Sequence, residues 1–242
     1  MRRFFGTVNL ADHTINFTKD TLKHIKVIRL EIGEKFEVVS QGRVFLCQVK
    51  KILPFQAEVI KECESDLSRE LRFSLILLCP LLKKNNFELV LQKSVELGVS
   101  EIYPFVSSRV IKRVTREEFS SRKARFEKII SGAAEQSNRT SIPILHELSE
   151  LQELSSITGD RKYIAYENEA IKGKMISKKM INDSERVICL LGPEGGFASS
   201  EVELFLKNGF EAVSLGKRIL RAETAALYML SVLSFLGENK DE

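Results

Sequence analysis

The hydrophobic and polar positions of this chain follow two rhythms. Up to about residue 68 the apolar runs are short and strand-like. Glu37-Val38-Val39 and Val44–Val49 flank Ser40-Gln41-Gly42-Arg43; two branched runs around a glycine turn predict a β-hairpin. Leu22, Ile25 and the pair Ile28 and Arg29 recur at three- or four-residue intervals, predicting a short helix over Thr21–Leu30. The polar stretch from Lys61 to Glu70 reads as a linker. From Leu71 onward strand-like and helix-like segments alternate, which predicts an α/β domain with a parallel sheet. Its expected strands are Leu71–Cys79, Glu101–Phe105, Lys162–Tyr166, Arg186–Leu191 and Glu211–Leu215. Its expected helices include Phe87–Leu97, closed by Gly98, and Phe119–Gln136, with Phe126, Ile129, Ile130, Ala133 and Ala134 on one stripe. Ser199 or Ser200 is the expected cap of a further helix, with Glu201 and Glu203 in its first turn, and a final helix starts near Ala222. Two domains are therefore expected, 1–68 and 71–242.

Composition narrows the class. At 242 residues, 43% hydrophobic and 29% charged, the chain can bury a core without disulfides. Cys47, Cys63, Cys79 and Cys189 form no CxxC pair, and three lie in or beside apolar runs, so buried free thiols in a reducing compartment are expected. His13, His24 and His146 are scattered, so no metal site is expected. No apolar run spans a bilayer and the N-terminus lacks a signal-peptide pattern, so a cytoplasmic protein without a membrane partner is expected. A net charge of +4 permits a polyanionic partner without demanding one. The densest basic run includes Arg109, Lys112, Arg113, Arg116, Arg122 and Lys123, diluted by Glu117 and Glu118. Arg109 and Arg113 lie just after a predicted strand end, where ligand-binding residues gather; Arg2 and Arg3 extend the candidate surface.

Chemistry concentrates in the C-terminal third. A buried strand ending at Leu191 runs into GPEGGF (192–197), and a second glycine loop opens LGKRILRAETAAL (215–227). Neither loop matches GxGxxG or carries a P-loop lysine, so neither a dinucleotide nor a nucleoside triphosphate is indicated. Two glycine loops at successive strand ends of an open α/β unit are nonetheless where such folds place ligands. Arg218, Arg221, Glu223 and Thr224 stand among apolar residues there, and isolated charges in such company need partners or water.

These residues resemble the C-terminal signature of the bacterial 16S ribosomal RNA uridine-N3 methyltransferases, members of the SPOUT class. The resemblance continues at LQKSVELGVSEIYPF (91–105), SSR (107–109) and AAEQSNR (133–139), and more weakly at RRFF (2–5) and HIKVIRLEIGE (24–34). One departure is Asn85-Asn86, where family members commonly carry an acidic and a basic residue. The resemblance implies a C-terminal parallel sheet with a trefoil knot, a small N-terminal PUA-like β-barrel that holds RNA, and a homodimer. It implies S-adenosylmethionine as cofactor and 16S ribosomal RNA in the small subunit as substrate, methylated at N3 of uridine 1498. Leu191, Gly192, Gly195, Gly196, Leu215, Gly216, Ile219, Leu220 and Thr224 are the expected cofactor residues. Arg2, Arg3, Arg29, Arg109, Arg113, Glu135, Gln136 and Arg139 are the expected RNA residues. Methylating an imide nitrogen requires proton removal or stabilisation of the uracil anion, for which Glu194 is a candidate base and Arg221 a candidate anion partner. Two alternatives stay open: a SPOUT enzyme acting elsewhere on RNA, such as a ribose 2′-hydroxyl, and a non-catalytic ribosome-assembly factor.

Overall fold

The short apolar runs of the N-terminal stretch pair into one six-stranded sheet, in the order β1-β4-β5-β6-β3-β2. Its strands are β1 (Arg3–Phe5), β2 (Thr7–Asn9), β3 (Thr14–Asn16), β4 (Lys35–Ser40), β5 (Arg43–Ile52) and β6 (Phe55–Glu62). The computed structural model describes residues 1–63, 69–83, 85–107, 114–166, 175–177 and 181–238. Arg109 and Arg113 lie outside the described residues. Two compact units emerge: Met1–Glu70 with Ala134–Ile142, and Leu71–Ala133 with Pro143–Glu242.

In the N-terminal unit, β4 and β5 form the expected hairpin, with Ser40 opposite Arg43. Gln41 and Gly42 both take positive φ, 52° and 75°, the two-residue turn whose twist suits a hairpin. The two edge strands of the sheet, β1 and β2, are joined by Gly6 alone, whose N–H donates to the Val39 carbonyl at 3.0 Å. Helix α1 (Lys19–Ile28) is capped by Thr18, which accepts from the Thr21 N–H, and buries Ile25. Its partners are Phe4, Phe36, Val38, Phe45 and Val49, all at most 2% exposed. Edge-to-face rings at Phe4–Phe36 and Phe17–Phe55 add directional packing to that burial.

Residues Ala134–Ile142 are held in this unit by buried ion pairs. Glu70 accepts from the Arg139 guanidinium (Nε at 3.1 Å) and from the N–H groups of Thr140 (2.8 Å) and Ser141 (3.1 Å). Arg3 pairs with Glu37 at 2.8 Å and donates to the Asn138 carbonyl.

The C-terminal unit is built on a wholly parallel sheet in the order β10-β8-β7-β12-β11-β13, with β9 also on β8. The strands are β7 (Ser74–Pro80), β8 (Glu101–Val106), β9 (Ile144–Leu145), β10 (Ser149–Glu150), β11 (Arg161–Ala165), β12 (Arg186–Leu190) and β13 (Glu211–Val213). The central pair β7 and β12 is buried on both faces, which is why it reads as continuous Leu, Ile, Val and Cys. Helices α2 (Asn86–Glu96), α3 (Arg116–Gln136), α4 (Ser199–Lys207) and α5 (Ala222–Glu238) accompany it. One face of the sheet packs Ile76, Leu78, Ile188 and Leu190 against Val202, Phe205 and Phe210.

Several element ends shift by one to three residues from expectation, and two of the shifts have a visible local cause. The cap of α4 is Ala198, one residue before Ser199, because its N–H donates to the Glu201 carboxylate at 2.8 Å; a carboxylate in the first turn replaces the serine hydroxyl. Strand β13 ends at Val213, short of Leu215, because the Ser214 hydroxyl accepts from the Gly216 N–H at 3.1 Å and turns the chain. Cys47, Cys79 and Cys189 are buried free thiols; burial pushes Cys47 up to about 12, so it stays neutral. Among the described residues no helix is long and apolar enough to cross a membrane.

Candidate active site

Three neighbouring parallel strands, β12, β11 and β13, end at one edge of the C-terminal unit, and a cavity of about 660 Å³ opens there. Its walls come from Gly192–Gly196 after β12, Ala165 and Tyr166 at the end of β11, and, after β13, Leu215, Gly216, the stretch Arg218–Glu223 and Ala225. Asn86, at the start of α2, completes the lining on the β7 side. The chain runs outward from β7 to β8, then returns to place β12 beside β7, and carboxyl ends flanking such a reversal form a crevice.

The two glycine loops are shaped by different constraints. Gly216 sits at φ +98° with nothing within 4 Å of a built Cβ, so its backbone conformation rather than crowding calls for glycine. Gly192 is crowded instead: a Cβ there would lie 3.1 Å from the ring of buried Phe197. Between them Pro193 and Gly196 close a turn, the Gly196 N–H donating to the Pro193 carbonyl at 2.9 Å, with Glu194 at its tip.

Glu194 is exposed, and its Oε1 accepts the Lys83 N–H at 3.0 Å; its other oxygen has no partner among the described residues. That bond ties the glycine loop to the segment entering α2. The same carboxylate, after burial itself, raises the Cys79 thiol at the end of β7, so Cys79 is no nucleophile. Arg221 is exposed at the mouth of α5, where its carbonyl accepts the Ala225 N–H at 2.8 Å; its guanidinium has no partner among the described residues. Arg218 is likewise exposed, and Ile219 between them is 86% exposed.

The cavity therefore brings together Glu194, Arg221, Gly192, Gly195, Gly196, Leu215, Gly216, Ile219 and Leu220. Leu191 and Thr224 do not line it: Leu191 is 1% exposed, its N–H bound to the Leu78 carbonyl, and Thr224 is exposed on the first turn of α5. Ala165, Tyr166 and Asn86 line it without having been anticipated. The position of Tyr166 at a parallel strand's carboxyl end was an available signal; for Asn86 only the departure at that position stood out.

The other anticipated residues lie in the N-terminal unit. Arg2 and Arg29 are exposed, Arg29 closing α1 at φ 54°. Gln136 is exposed, whereas Arg3 and Arg139 are 5% and 2% exposed and engaged in the ion pairs described above. Glu135 lies 3.2 Å from His24 Nδ1 and accepts the Phe5 N–H; burial raises its carboxyl above the ordinary value despite both contacts.

A family model for the RNA methyltransferase domain matches residues 69–234. The ribosomal RNA small subunit methyltransferase E of Mesomycoplasma hyopneumoniae is 33% identical over 238 residues, covering 96% of this chain and 98% of that protein. The Bacillus subtilis protein of the same name is 29% identical over 93% of this chain and 91% of its own length. A crystal structure of the Neisseria gonorrhoeae enzyme of that name, bound to S-adenosyl methionine, superposes with a TM-score of 0.85 at 29% identity, covering 98% of each chain. With the strand-end cavity and its two glycine loops, these matches show that the chain belongs to the ribosomal RNA small subunit methyltransferase E family of RNA methyltransferases.

Proposed function

We propose that this chain methylates N3 of one uridine of 16S ribosomal RNA, uridine 1498 by family resemblance, using S-adenosylmethionine held in the strand-end cavity. The observation that carries the reading is the convergence of both glycine loops, in a single cavity, with an arginine that has no partner among the described residues and a carboxylate with only one of its oxygens engaged there. Its volume, about 660 Å³, falls in the range of pockets that enclose a molecule of cofactor size. Backbone amides and carbonyls at Gly192, Leu215 and Gly216 suit an adenine edge, and Ile219 and Leu220 its faces.

The cofactor supplies an electrophilic methyl on a sulfonium. Glu194, aimed by its bond to the Lys83 N–H, takes the N3 proton through its other oxygen. Arg221 donates to a uracil carbonyl oxygen and stabilises the charge left on the ring. This favours the uracil ring over a ribose hydroxyl, because the arginine and carboxylate match an imide whose charge spreads onto flanking oxygens. Glu194→Gln keeps an acceptor for Lys83 but removes the base. Its single-turnover rate should fall at neutral pH and recover partly as pH rises and the imide ionises unaided; a normal neutral rate would reduce Glu194 to loop architecture.

Calorimetry tests the cofactor site. Wild-type protein should bind S-adenosylmethionine, and Gly216→Val should lose binding while staying folded, since a β-branched residue is strained at φ +98°. Unchanged affinity in the variant would remove this loop from the site.

The same reading extends to architecture. The N-terminal sheet, whose edge strands are joined by Gly6, acts as a PUA-like barrel holding RNA through exposed Arg2 and Arg29. Arg3, Glu135 and Arg139, with Gln136 beside them, shape that surface, and Arg109 and Arg113 add phosphate contacts. The placement of β12 between β7 and β11 supports a knotted C-terminal segment. A cytoplasmic homodimer completes the picture: α5 buries Ala226, Met229, Leu230 and Leu233 but leaves Tyr228 38% and Phe235 62% exposed. Light scattering at micromolar concentration should give twice the 27.5 kDa chain mass; a monomer would contradict it.

A further inference from the structure

We infer that Asn86 is a substrate-positioning residue, its carboxamide N–H donating to a carbonyl oxygen of the target uracil opposite Arg221; the inference rests on the methyl-transfer reading above. Four observations carry it. Asn86 lines the cavity from the wall contributed by the start of α2, whereas Arg218 and Arg221 line it from the segment after β13. Its side chain makes no hydrogen bond with any described residue, although its backbone N–H is used by Lys83. Asn85, the cap of α2, makes no side-chain bond to the helix end, and the carboxylate in the first turn, Glu88, is paired with Arg125 at 2.9 Å. The Glu194–Lys83 bond fixes this segment to the glycine loop, so the carboxamide is held rather than carried on a loose tip.

The chemistry of the substrate explains why a neutral amide fits. N3 of uracil is flanked by two carbonyl oxygens, and both gain negative charge as the proton leaves. Arg221 supplies a charged donor to one oxygen, and Asn86 supplies a neutral donor to the other. Arg218 and Arg221 already bring two cations to the cavity, so a neutral donor suffices for the second oxygen. A carboxylate would repel the ring anion. A carboxamide avoids that repulsion and fixes the base in plane, which is what in-line methyl transfer requires.

Asn86→Asp separates this role from a structural one. A carboxylate at the first position of a helix favours the helix, so the unfolding midpoint should not fall. S-adenosylmethionine affinity by calorimetry should stay within about twofold, whereas single-turnover transfer to small subunits should slow roughly 10²-fold and its pH profile should move upward. Asn86→Ala, which only deletes the donor, should slow transfer roughly tenfold without moving that profile. An Asp variant with wild-type transfer would overturn the proposal. So would a variant that binds S-adenosylmethionine more tightly, because Asn86 would then face the sulfonium. Wild-type protein that transfers no methyl group to RNA would remove the parent reading and this one together.

Discussion

Arg221→Ala should slow methyl transfer roughly 10²–10³-fold, the scale set when one preorganised donor to a developing anion is lost. That corresponds to about 3–4 kcal/mol of transition-state stabilisation. Arg221 has no ion-pair partner among the described residues and lines the cavity at the mouth of α5, so deletion costs little in folding. S-adenosylmethionine affinity should survive, because the groups suited to adenosine are backbone atoms of the two glycine loops. Single-turnover kinetics with cofactor saturating separates the two effects. A wild-type rate would place the anion-stabilising group elsewhere, with Arg218 next in line. Loss of cofactor binding without a slower chemical step would make Arg221 a cofactor residue instead.

Glu70→Ala should destabilise the N-terminal unit by about 3–5 kcal/mol, the usual cost of stripping the partner from a buried charge. Arg139 keeps only 3% of its side chain exposed, so water cannot replace the carboxylate. The Thr140 and Ser141 N–H groups lose the same acceptor. With a slope of roughly 1–3 kcal/mol/M, the urea midpoint should drop by about 1–5 M. Burial opposes ionisation of Glu70, but Arg139, Thr140 and Ser141 outweigh it and hold the carboxyl below its ordinary value of 4.5. The sign follows: a depressed carboxylate stabilises above its ordinary value, and that stability fades as pH falls through the folded value. The gap between wild type and Glu70→Gln should therefore narrow in acid. An unchanged midpoint at neutral pH would show that the segment Ala134–Ile142 is held by packing alone.

The pair behind that prediction also shows where a sequence stops being legible. The β4–β5 hairpin could be read because its signal is local: Gln41-Gly42 permits the turn and short apolar runs flank it on either side. β7 and β12 could be read because strands buried on both faces are apolar without interruption. Strands β1, β2 and β3 could not, since three residues carry no period. Arg139 and Glu70 lie 69 positions apart, and nothing in either neighbourhood announces the other.

The same distinction runs through the site. Gly216, Arg221 and Glu194 stood out because charge and glycine in an apolar neighbourhood need a reason. The different constraints on the glycines, backbone conformation at Gly216 and ring packing at Gly192, belong to three dimensions. Asn86 reaches the cavity only because β7 pairs with β12 and because Glu194 bonds the Lys83 N–H from 111 positions away. Ala198 as cap of α4 is a subtler case. Two serines advertise themselves as caps, yet Glu201 performs the task from inside the helix.

The most direct measurement of the central claim is nucleoside mass spectrometry on 16S ribosomal RNA from small subunits incubated with the purified protein and isotopically methyl-labelled S-adenosylmethionine. The subunits should come from cells lacking this enzyme, so that the target position is unmodified. Labelled 3-methyluridine, absent when Arg221→Ala protein is used at matched times, is the predicted result. Label on a ribose 2′-hydroxyl or on another base, or no label from protein that binds the cofactor, would contradict it.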